Sequence, residues 1–70
     1  MTTKVQNLRS RHLGRKVSLI NPATGEPWGG LNGTLTSKPG MNDKVFWIVT
    51  SDNPYVAPFA IFNDERVSLT

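Results

Sequence analysis

The chain contains no cysteine, and its one histidine is His12. Disulfides are therefore excluded as a source of stability, and Cys and His cannot supply the four ligands that zinc needs. No apolar run approaches the ~18 residues of a membrane-spanning helix, and no charged start is followed by a hydrophobic signal core. A cytoplasmic location without a membrane partner is expected. Internal repeats and low-complexity segments are absent.

Catalytic patterns are missing as well. His12 stands among arginines, and nothing in its spacing to a serine or a carboxylate proposes a triad. Asp64-Glu65 reads as a turn initiator rather than a general acid/base pair. The glycine-rich stretch GEPWGGLNG lacks the Gly-Lys-Ser/Thr ending of a phosphate loop and opens no helix. No enzyme activity, metal or cofactor is expected.

Acid is absent from the first twenty residues, which carry Lys4, Arg9, Arg11, Arg15 and Lys16 and a charge of +5. The remaining residues hold Lys38, Lys44 and Arg66 against Glu26, Asp43, Asp52, Asp64 and Glu65, a charge of −2 that brings the total to +3. The basic character thus belongs to one end of the chain. A solvated segment, contact with nucleic acid and docking to an acidic protein all account for it. A charge that served only solubility would have no reason to be segregated.

With 70 residues the chain is one domain. A domain of this size buries only about 60% of its unfolded surface. It needs either a closed, well-packed small barrel or burial of further surface in an oligomer or complex.

Thr3-Lys4-Val5-Gln6 has the pattern of a capping box, and Gly14 stands where a left-handed C-terminal cap belongs. Between them a helix of about ten residues is expected, with Val5, Leu8 and His12 on one face. After Gly14 the period becomes two. Strands are expected at Val17–Ile20, Leu31–Thr36, Val45–Thr50, Tyr55–Phe62 and Val67–Leu69, separated by the turn formers of NPATGEP, SKPGMND, SDNP and NDE. Asn32-Gly33 reads as a bend inside a strand rather than a hairpin turn, because the preceding Trp28-Gly29-Gly30 makes a poor partner strand. Pro58 breaks its strand or confines it to an edge.

A short helix followed by five strands, each bent or broken by Gly or Pro, implies a mostly β fold, a strongly curved small barrel. Residues 1–14 form its basic helical segment and 15–70 the barrel. Val17, Leu19, Leu35, Val45, Val49, Ile61 and Val67 are expected to line the interior.

This order of elements resembles the Sm-like proteins, and more loosely the SH3-like barrels. GTLTSKPGMNDKVF, from Gly33 to Phe46, looks like the first Sm motif, in which Gly-x-Leu ends the second strand and a Met-Asn pair opens the third. AIFNDERVSL, from Ala60 to Leu69, occupies the place of the second motif. Lys38-Pro39 stand where that family carries an aspartate, and Phe62-Asn63 where it carries Arg-Gly, the two places that line its RNA pocket. The resemblance therefore implies the barrel topology and not the family's uridine chemistry.

The functional expectation is a non-catalytic binding module. The leading reading is nucleic-acid binding of low sequence specificity, with Lys4, Arg9, Arg11, Arg15 and Lys16 on phosphates. The alternative is a protein-interaction or assembly subunit, with an acidic protein or a second copy of the chain as partner. Trp28, between Pro27 and two glycines, is either a lid folded onto the barrel or an exposed anchor for a partner.

Overall fold

The computed structural model describes residues 2–70. Six strands run as β1 Thr2–Lys4, β2 Lys16–Ile20, β3 Pro27–Ser37, β4 Trp47–Ser51, β5 Phe59–Ile61 and β6 Arg66–Leu69. They form one antiparallel sheet in the order β1-β6-β2-β3-β4-β5. The mostly β expectation holds, and all five expected strands are present with shifted ends.

Three finer expectations are corrected. The N-terminal helix does not form. Thr2–Lys4 pairs with β6, and two 3₁₀ turns follow, at Val5–Asn7 and Ser10–His12, with Leu8, Arg9 and Leu13 extended around them. An isolated helix of about ten residues is marginal, whereas β1 gains a ladder and the broken path drives Val5, Leu8 and His12 all into the interior. The extra strand β1 also makes the count six rather than five. Finally, the sheet stays open rather than closing into a barrel. The two edge strands, β1 and β5, have three residues each, and among the described residues no ladder joins them. The chain leaves β1 at Val5, whose N–H donates to Glu65 O at 2.9 Å, and Pro58 delays the start of β5.

One face of the sheet is buried. Val17 and Leu19 of β2, Leu35 of β3, Trp47 and Val49 of β4, Ile61 of β5, and Val67 and Leu69 of β6 form the core, covered by Val5 and Leu8. Six of the seven expected interior residues are there; Val45 is not, being 82% exposed. The β3–β4 connection is longer than the alternation implied. It includes a 3₁₀ turn at Met41–Asp43, with Asp43 at φ +62°, so the Met-Asn pair lies in that turn and β4 starts at Trp47. Val45 therefore precedes the ladder, and Trp47 takes the inward place.

The β2–β3 turn is built as its composition implies. Asn21 Oδ1 accepts the Ala23 N–H at 2.9 Å, Asn21 O accepts the Gly25 N–H at 2.8 Å, and Gly25 holds a φ of +75°. Beyond it β3 carries a wide irregularity. Ser18 pairs with Asn32 and Ile20 with Pro27, so two steps along β2 match five along β3. Trp28, Gly29, Gly30 and Leu31 together stand opposite the single residue Leu19, which is why a segment of low strand propensity is accommodated.

Candidate functional site

The ladders fix what the other face of the sheet presents. Residues directly opposite across antiparallel strands project from the same face. Because Val17, Leu19, Val67 and Leu69 point into the core, Lys16, Ser18, Arg66 and Ser68 point away from it. Thr2 lies opposite Ser68, Ser68 opposite Ser18, and Ser18 opposite Asn32, a row of small polar side chains across four strands. In the neighbouring row Lys16 faces Thr34 and Thr34 faces Thr50. The Thr36 and Thr50 hydroxyls are 2.9 Å apart.

The five basic residues read from the sequence do not act alike. Lys16 is spent within the fold: its Nζ lies 2.5 Å from Asp52 Oδ1, and Asn32 Nδ2 approaches the other oxygen at 3.5 Å. Arg15 donates from Nε to Thr70 O at 3.0 Å, tying the start of β2 to the C-terminus. Arg9 folds back so that Nη1 donates to Leu8 O at 2.9 Å and to Gln6 O at 3.3 Å. Arg11 and Lys4 are exposed, and among the described residues neither side chain has a hydrogen-bond or ion-pair partner. Lys4 is brought directly opposite Arg66 in the β1–β6 ladder, and Arg66 too is exposed and without a partner among the described residues. Beside Arg66, residues Ile20, Pro22, Gly25, Asp64 and Glu65 line an open cavity of about 480 Å³.

Sequence reasoning missed Arg66. Its signal was present, since Arg66 alternates with the inward Val67 and Leu69, but its opposition to Lys4 was hidden while Thr2–Lys4 read as part of a helix.

Trp28 is 41% exposed and lies outside the core cluster. His12 is buried, and its Nδ1 accepts the Arg9 N–H at 2.8 Å, bracing the second 3₁₀ turn. A second exposed feature is apolar. Phe46, just before β4, and Phe62, just after β5, meet edge to face with centroids 5.7 Å apart and Phe62 53% exposed, while Tyr55, 95% exposed, lies in the loop at the other end of this strand pair. Compared with protein-family models, curated proteins and solved structures, the chain matches none.

Proposed function

We propose that the protein is a non-catalytic binding module that engages nucleic acid through its phosphates, with low sequence specificity. The observation that carries this reading is the set of exposed cations Lys4, Arg11 and Arg66, none of which forms an ion pair with an acid among the described residues. The segregation of charge toward the first twenty residues supports it too. Arg9 and Arg15 contribute to the field while holding turns and strands together, whereas Asp52 neutralises Lys16. No base-reading motif accompanies these cations, so contacts go to the backbone, which positions without specifying.

The test is a titration of wild type and Arg11→Ala against single- and double-stranded DNA and RNA at two salt concentrations. Wild-type affinity should fall steeply with salt, with a log-log slope of about −0.7 to −0.9 per phosphate contact. Arg11→Ala should shallow that slope by about one unit and weaken all sequences alike. If wild type binds none of them in low salt, the reading is lost. The second reading then leads: an assembly subunit that docks through the β4–β5 margin, favoured by the exposure of Phe62 beside Phe46.

A further inference from the structure

We propose that Lys4 and Arg66, together with the hydroxyls of Thr2, Ser68 and Ser18, form a phosphate-binding site on the exposed face of the β1–β6–β2 corner. The placement is fixed by register: Lys4 opposite Arg66, Thr2 opposite Ser68, Ser68 opposite Ser18. Directly opposed residues of an antiparallel pair have Cβ atoms about 4.5–5.5 Å apart, and like charges there destabilise the sheet. An edge pairing of only three residues has little to set against that repulsion. Lys16 shows what the fold does with a cation on this face when it serves structure alone, since Asp52 neutralises it.

Among the described residues no acid does the same for the pair. Glu65 precedes Arg66, but its Oε1 accepts the Phe62 N–H at 2.8 Å and so belongs to the β5–β6 turn. Asp64 lines the cavity beside Arg66 without forming an ion pair to it. A phosphate group bridging the two cations removes their repulsion and makes charge-assisted hydrogen bonds with both, the guanidinium offering a fork and the ammonium a point charge. Thr2 and Ser68 stand two residues along the same strands, about 7 Å away, on the same face, so the long side chains can fold over them and the hydroxyls complete the donor set. The phosphate has two possible sources, a nucleic-acid backbone or a free polyphosphate compound. The first source rests on the nucleic-acid reading above, and the site itself does not.

The experiment measures melting temperature for wild type, Lys4→Gln, Arg66→Gln, the double variant and Lys44→Gln as a control cation. Buffers are phosphate-free at fixed ionic strength, with and without tripolyphosphate. Without ligand, Lys4→Gln and Arg66→Gln should melt at or above wild type, because a repulsion has been removed; this also shows that they fold. With tripolyphosphate, wild type and Lys44→Gln should gain stability, each single variant should lose affinity about tenfold, and the double variant should not respond. A flat wild-type response, or equal gains in all five proteins, overturns the site. A parallel titration with a short single-stranded oligonucleotide separates the two sources. If the pair governs both ligands, nucleic acid is the source. If it governs tripolyphosphate while no oligonucleotide binds, the site stands with a free polyphosphate as its ligand, and the nucleic-acid reading falls. If an oligonucleotide binds with unchanged affinity in the double variant and tripolyphosphate has no effect on wild type, that reading survives and the site is overturned.

Discussion

Leu35 and Val45 looked alike as aliphatic residues on alternating segments, yet one is fully buried and the other 82% exposed. Truncating Leu35 to Ala removes contacts from the middle of the core and leaves a cavity, at a cost of about 2–4 kcal/mol. That is a large share of the roughly 4–10 kcal/mol expected of a domain this size. Val45→Ala removes side-chain atoms that already face water and should change stability by less than about 0.5 kcal/mol. Denaturant melts of the two variants check the pair, and a Val45→Ala loss comparable to that of Leu35→Ala would mean that Val45 is inward after all. Alternation identified the inward set where the ladder is continuous, at Val17, Leu19, Val49, Ile61 and Val67. It failed at Val45, because the loop before β4 uses up residues that the pattern assigned to the strand. The five candidate cations were equally visible as charges. Which of them are spent on Asp52, Thr70 O or Leu8 O depends on partners 36 and 55 residues away in two cases and on a local fold-back in the third.

The closeness of β3 and β4 rests on Gly33. A Cβ there would lie 2.0 Å from Thr50 O and 2.8 Å from Ser51 Cα, and backbone cannot swing aside as a side-chain tip can. Gly33→Ala should therefore force β3 from β4 in mid-strand and destabilise by about 3 kcal/mol, at the upper end of ordinary overpacking. A thermal melt, with amide exchange read at Thr34 and Leu35, measures it; an unchanged melting temperature would refute the close approach. This requirement was legible in kind, since a glycine inside an alternating strand marks a bend or a near backbone. The 21–26 turn was legible for the same reason: Asn, Pro and Gly each carry a local backbone preference. The N-terminal segment was not. Its capping-box pattern and weak apolar face are local signals, and they lost to a ladder with β6, more than sixty residues downstream. Tertiary pairing of that kind leaves no periodic trace in a three-residue strand.

At the scale of the whole molecule, the sheet is open with two short edges, and one of them leaves aromatic surface exposed. Phe62 is exposed just after the edge strand β5, and Phe46 is half-buried against it. A 70-residue chain without disulfides gains proportionally more than a large protein from covering such surface. If copies of the chain associate through this margin, mass action stabilises the folded state, and the melting temperature should rise with protein concentration. Light scattering should then give a mass above the 7.7 kDa of one chain. Phe62→Ser should abolish both effects while leaving the melting temperature at high dilution nearly unchanged, because Phe62 lies outside the core cluster. Arg11→Ala, by contrast, should leave the concentration dependence intact and alter only the salt dependence of polyanion binding. A monomeric mass and a melting temperature independent of concentration would remove self-association through this margin.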